Sequence, residues 1–203
     1  MRYRLFLNLS LFFYCVSSWS ATLEDNIIYC NDCHGENGVS EESDVPTIAG
    51  LSAATITDML FAYVDETRLA KKSKFRFGDT ARAETDMTVT AKKLSEDDIG
   101  ALAEHYSEQP FVAASQDYDT DKATRGLRVH EERCTKCHDE GGSLADDDAA
   151  ILAGQWTPYL RQAFDDYLDG SRETDKKMLK ALKKLSPSQI DDLLNYYASQ
   201  QGG

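Results

Sequence analysis

The chain has 203 residues, 41% of them hydrophobic, with 35 Asp and Glu against 22 Lys and Arg for a formal net charge of −13. So acidic a surface is repelled by phosphates, which excludes nucleic acid as a partner and suits a solvated protein that meets a basic docking face. Beyond the first twenty residues, no apolar run reaches the ~20 residues that a membrane-spanning helix needs.

Residues 1–20 read as a signal peptide: "MRYR" is positive, "LFLNLSLFFYCV" is apolar, and Ser18 and Ser20 precede a cut near Ser20/Ala21. The apolar run is too short to serve as an anchor, so the expectation is export to the periplasm, with Cys15 discarded. The remaining 183 residues carry a net charge near −15 and four cysteines, Cys30, Cys33, Cys134 and Cys137.

The first of these lie in "YCNDCHGENG", a Cys-x-x-Cys-His ending at His34, and the others in "RCTKCHDEGG", ending at His138. That pattern attaches c-type haem: two thiols bond one porphyrin, and the adjacent histidine turns to the iron. Zinc sites usually gather their four ligands within a shorter span. A redox dithiol expects a βαβ context that is missing here, and plain disulfides leave both histidines unexplained.

The two motifs begin an internal repeat. At an offset of 104 residues, "IAG" ending at Gly50 meets "LAG" ending at Gly154, Tyr63 meets Tyr167, and Arg68 meets Arg172. Met59, in "ITDMLFAYV", falls on Ala163 and reads as helix packing. Next comes the basic run "KKSKFRF", Lys71 to Phe77, which reads equally as a docking surface or a solvated loop anchored by two phenylalanines. It lies within 13 extra residues between about Asp65 and Asp86, after which the offset is 91. Met87 then pairs with Met178, Leu94 with Leu185, and Ser95 with Ser186. The two methionines are the repeated candidates for the distal ligand, and a thioether favours Fe(II).

A helix follows each methionine. Ile99, Leu102, Ala103 and Tyr106 form one apolar face, as do Ile190, Leu193, Leu194 and Tyr197. Ser95 with Asp98, and Ser186-Pro187 with Gln189, are start signals. His105 and His130 are not repeated, and both are expected on helix surfaces. The fold expected is all-α, with two tandem domains over 21–112 and 123–203 and a linker over 113–122. Each domain is wrapped around one covalent haem, because so small a core is marginal on burial alone. Arg172 is a candidate partner for a haem propionate. In the first half that place falls to Arg68 or to Arg82.

In this order of motifs the chain resembles the class I diheme cytochromes c. The second half, "CTKCHDEGGSLADDDAAILAGQWTPYL" with "YYASQQ", is similar to the cytochrome subunit of flavocytochrome c sulfide dehydrogenases. The resemblance implies two haem c groups attached through Cys30, Cys33, Cys134 and Cys137, with His34 and His138 as proximal ligands and Met87 and Met178 as distal ones. It implies an electron-transfer subunit that is not catalytic alone. The donor is a separate flavoprotein subunit holding FAD, and the acceptor is soluble, such as another cytochrome. The family's proline, whose carbonyl receives the proximal histidine's N–H, is matched by Pro46 but replaced by Ala150. The rival expectation is a free-standing diheme shuttle to a terminal oxidase. A thiosulfate dehydrogenase wants a spare cysteine ligand and a peroxidase an open iron, and neither is expected.

Overall fold

The structure, a computed structural model, describes residues 21–145 and 149–201. The signal peptide expected over 1–20 lies outside them. Eight α-helices carry the described chain: α1 Leu23–His34, α2 Ala53–Val64, α3 Met87–Ala91, α4 Glu96–Ser107, α5 Thr120–Arg133, α6 Thr157–Asp169, α7 Lys176–Leu182 and α8 Pro187–Ala198. Among the described residues the β-pairing consists of two isolated bridges, Arg68 with Arg172 and Ser73 with Thr85. The expected all-α class is what the chain forms.

The helix starts obey their local chemistry. Ser95 and Asp98 close a reciprocal capping box on α4, and Ser186 and Gln189 close one on α8 behind Pro187. Each such cap stabilises its helix by about 1 kcal/mol. The apolar faces read from periodicity are buried: Ile99, Leu102, Ala103 and Tyr106 on α4, and Ile190, Leu193, Leu194 and Tyr197 on α8. α4 packs on α1 and α2, whereas α8 packs chiefly on α5. This gives two cores, one around Leu51, Ile56, Leu102 and Tyr106, the other around Val129, Leu160, Phe164, Leu193 and Tyr197.

The repeat holds at the level of single backbone bonds. The Gly38 carbonyl accepts from Ile48 and Ala49, and the Gly142 carbonyl from Leu152 and Ala153. Gly50 donates to the Tyr106 carbonyl at 2.9 Å, and Gly154 to that of Tyr197 at 2.8 Å. Both glycines have φ +71°, and a Cβ at Gly50 would meet the Phe111 nitrogen at 2.7 Å. "IAG" and "LAG" therefore recur because the chain turns left-handed there against an adjoining backbone.

Residues 108–119 run without helix between α4 and α5. α5 starts at Thr120, inside the stretch expected as linker, because Asp119 caps it by accepting from the Lys122 N–H. His130 corrects an expectation: it is 1% exposed rather than on a surface. It shares the α5 face of Ala123, Gly126 and Val129, and its Nδ1 lies 3.0 Å from the Tyr197 hydroxyl. A periodicity that counts histidine as polar misses a ring that packs against Tyr196 and Tyr197 with its Nδ1 bonded inside. His105 is half-buried, with its ring 4.9 Å from that of Tyr106.

A seam joins the two halves. Gln155 Oε1 accepts from the Thr47 N–H at 3.0 Å, and its Nε2 donates to the Thr47 carbonyl at 2.9 Å. Both residues are at most 2% exposed. Trp156 Nε1 donates to the Ser40 carbonyl at 2.9 Å. Ile151, from the second half, is part of the first core.

Candidate haem-binding sites

α1 extends through the whole first motif, so Cys30, Cys33 and His34 stand on one continuous helix. His34 is buried, and its Nδ1 lies 2.9 Å from the Pro46 carbonyl. With the proton on Nδ1, that bond leaves Nε2 as the nitrogen with a free lone pair. Burial lowers the His34 pKa, the nearby Arg68 guanidinium adds to this, and the Pro46 carbonyl opposes it. The ring is therefore neutral, as a metal ligand must be. Cys30 packs against the first core, where burial pushes its thiol up to about 11.

The second motif is built differently. α5 ends at Arg133, and Cys134 to His138 continue as turns in which the His138 N–H still reaches the Cys134 carbonyl at 2.9 Å. His138 is half-buried and Cys137 exposed. Cys134 packs against the second core, and burial raises its pKa. The buried His130 adjoins the His138 backbone.

Met87 is the first residue of α3, behind the cap Asp86, whose side chain accepts from the Val89 N–H at 2.8 Å. Met178 stands in the first turn of α7, behind the cap Asp175. It packs on the second core, and its sulfur accepts a hydrogen bond from the Thr174 hydroxyl at 3.4 Å. Ala83 stands in the place of Thr174 in the first half, so that bond belongs to the second alone. Met59 is half-buried on α2.

Between the sites lies a cationic cluster that sequence spacing left ambiguous. Arg68 and Arg172 bridge the halves, with Leu69 donating to the Ser171 carbonyl at 2.9 Å and Glu173 to that of Thr67 at 2.8 Å. Each guanidinium lies over the tyrosine of its own half, Arg68 over Tyr63 at 4.7 Å and Arg172 over Tyr167 at 4.4 Å. Arg68 also donates to the Tyr159 hydroxyl at 3.4 Å. Burial works to raise the Tyr159 pKa, but the two guanidiniums prevail and hold it below its ordinary value. Arg68, not Arg82, is therefore the counterpart of Arg172. Arg82 pairs with Asp32 and covers the Phe75 ring at 3.7 Å.

The 13 extra residues accordingly fall after Arg68. The basic run within them is pinned, not free. Arg76 and Phe77 donate to the Asp32 carbonyl, Arg76 pairs with Asp44, and buried Phe75 meets the Tyr29 ring edge-on at 5.4 Å. Phe77 is exposed, so one of the two phenylalanines anchors the loop.

Haem, the group expected at each motif, fits these surroundings. Arg68 is 7% exposed and has no carboxylate partner among the described residues. A buried guanidinium set among phenols and without a carboxylate suits an anion such as a propionate. The four thiols are unpaired by disulfides, and His34 presents one nitrogen.

Residues 28–106 match the cytochrome c family. The chain is 25% identical to cytochrome c4 of Pseudomonas aeruginosa over 177 residues, 82% of this chain and 81% of that one. It is 28% identical to a thiosulfate dehydrogenase electron acceptor of Thiomonas intermedia, over 82% of this chain and 74% of that one. Its fold is similar to that of cytochrome c4 of Acidithiobacillus ferrooxidans, with a TM-score of 0.69 and 24% identity over 84% of this chain and 98% of that one. With cytochrome c-554(548) of Halomonas halodenitrificans it shares 33% identity over 90 residues, 44% of this chain and 95% of that one. With two haem-attachment motifs and a fold like that of cytochrome c4, the chain belongs to the cytochrome c family, as a diheme, electron-transferring member of class I.

Proposed function

We propose that this chain is a periplasmic diheme carrier that takes electrons from a separate dehydrogenase of a reduced inorganic sulfur compound and passes them to a soluble acceptor, such as another cytochrome. The observation that carries this reading is the seam: two haem-attachment frames are held together by the Thr47–Gln155 clasp and the Arg68–Arg172 bridge. Bound haem supplies reversible one-electron chemistry at iron. Cys30 and Cys33 hold one group and Cys134 and Cys137 the other. His34 and His138 would supply nitrogens to the iron, and Met87 and Met178 sulfurs. Pro46 fixes the tautomer of His34. Arg68 and Arg172 would offset propionate charge at the seam. Among the described residues no helix is long and apolar enough to cross a membrane.

Two sulfur-compound donors are in view. The second-half resemblance names the FAD-bearing flavoprotein of a sulfide dehydrogenase. The block that carried it, "GQWTPYL", has a structural use here, since Gln155, Trp156 and Tyr159 all bond across the seam. The second donor is a thiosulfate dehydrogenase, by similarity to that enzyme's electron acceptor.

The test is a visible spectrum of the protein purified from its native periplasm, before and after sulfide or thiosulfate. A co-purifying flavin band with haem reduction by low sulfide identifies the flavoprotein donor. Reduction by thiosulfate without flavin identifies the other. Haems indifferent to both compounds leave a shuttle serving other donors.

A further inference from the structure

Among the described residues, the densest unpartnered charge lies on α7 and the two residues after it. Residues 176–184, "KKMLKALKK", hold five lysines and no carboxylate in a chain of net charge −13. All five lysines are exposed. None forms a salt bridge among the described residues, whereas Lys92 pairs with Glu66 and Lys122 with Asp191. Lys176, Lys180, Lys183 and Lys184 rim a shallow depression of ≈ 390 Å³ with Leu179 between them.

Folding does not account for this composition. Lys176 and Lys177 occupy the first turn of α7, where the helix dipole disfavours cations. Lys176 and Lys180 are like charges four residues apart on one face, which costs helix stability. Nor is the run inherited from the repeat. Lys183 and Lys184 correspond to Lys92 and Lys93, but Lys176, Lys177 and Lys180 stand where the first half has Thr85, Asp86 and Val89. The second half thus carries a cationic face on the helix that bears Met178, at a local energetic cost.

We propose that this face of α7 is the docking surface for the carboxylate-rich face of a redox partner protein, which exchanges electrons with the second haem from the Met178 side. The inference rests on the electron-carrier function proposed above. Charge complementarity selects the occupant: in so acidic a chain the densest run of unpaired lysines among the described residues is this one, so encounter with an acidic protein is steered to it. Leu179 supplies apolar contact at the centre, and the lysines form a polar rim around it.

The test is film voltammetry of the haem-loaded protein on gold bearing a carboxylate-terminated monolayer, which stands in for the acidic face. The wild type, despite its net charge, is expected to adsorb at low ionic strength and give a redox wave. Lys176→Glu with Lys180→Glu and Lys183→Glu should cut electroactive coverage by about tenfold or more. The same reversal at Lys71, Lys72 and Lys74 should leave most of it. Salt at 1 M should release the wild type, as the screening length falls to ~3 Å. Visible spectra and circular dichroism of each variant establish that haem and fold are intact.

A wild type that ignores the carboxylate layer yet gives a wave on an amine-terminated one overturns the proposal. So does equal loss in both triple variants. A wild-type dimer in sedimentation that the α7 reversal dissociates would assign the face to a second copy. Binding to phosphatidylglycerol vesicles without adsorption to the carboxylate layer would assign it to lipid. A wild type with no redox wave on any surface counts instead against the electron-carrier function itself.

Discussion

Gly126 has the closest backbone approach of any glycine described in the second half. It lies in the middle of α5, and a Cβ there would meet the Asp192 carbonyl oxygen at 2.0 Å and its carbon at 2.5 Å. These are backbone atoms of α8 and cannot rotate away, so Gly126→Ala must force the two helices apart. Such overpacking costs about 1–3 kcal/mol, and the upper end applies because Val129, Leu193 and Tyr197 lose contact together. The ordinary preference of helices for Ala returns about 1 kcal/mol, leaving a net loss of about 2 kcal/mol. Gly100 is the control, a helical glycine with nothing within 4 Å of a built Cβ. Gly100→Ala should stabilise by about 0.5–1 kcal/mol. Guanidinium unfolding of the haem-loaded protein reads both, and Gly126→Ala should disturb the second haem's spectrum because α5 leads into Cys134 and His138. A Gly126→Ala variant as stable as wild type would refute the close α5–α8 contact.

At the seam, Gln155→Leu strands both the N–H and the carbonyl of Thr47, which should cost about 2–6 kcal/mol and loosen the halves, seen as faster proteolysis between them. Thr174→Val removes the hydrogen bond on the Met178 sulfur. A sulfur so bonded donates less to Fe(III), so the loss should lower the second haem's potential by about 20–60 mV and spare the first, as read by potentiometric titration. Asp191 is held below the usual carboxylate range by its bond to Lys122, with Arg161 assisting and burial opposing. A depressed folded pKa contributes stability that is present above the unfolded value of ~3.9 and lost as pH falls through the folded one. Asp191→Asn should therefore lower stability at pH 7 but lessen the further loss below about pH 4, measured by thermal melts across pH.

What the sequence disclosed follows what repeats leave behind. Two copies of one pattern exposed the methionines, the capping boxes and the apolar faces of α4 and α8, because local chemistry and periodicity both act within a dozen residues. The paired glycines of "IAG" and "LAG" were visible as letters, but not as left-handed turns against a neighbouring chain. What stayed hidden depends on contacts distant in sequence. Gln155 reaches Thr47 across 108 residues, so the use of "GQWTPYL" in the seam is not legible in the sequence. The choice between Arg68 and Arg82 needed the bridge to Arg172. His130 needed Tyr197 to show why a polar ring is buried. The lysines of α7 were legible all along as a deviation from the repeat, since three of the five have no counterpart in the first half.

The most direct test of the account is a spectroelectrochemical titration of the haem-loaded protein beside Met87→Ala and Met178→Ala. The account predicts two one-electron steps per chain. Each variant should keep both haems covalently attached while one step moves to lower potential, a different step in each. A single step per chain, or two steps that neither substitution moves, would contradict a diheme carrier with methionine at both irons.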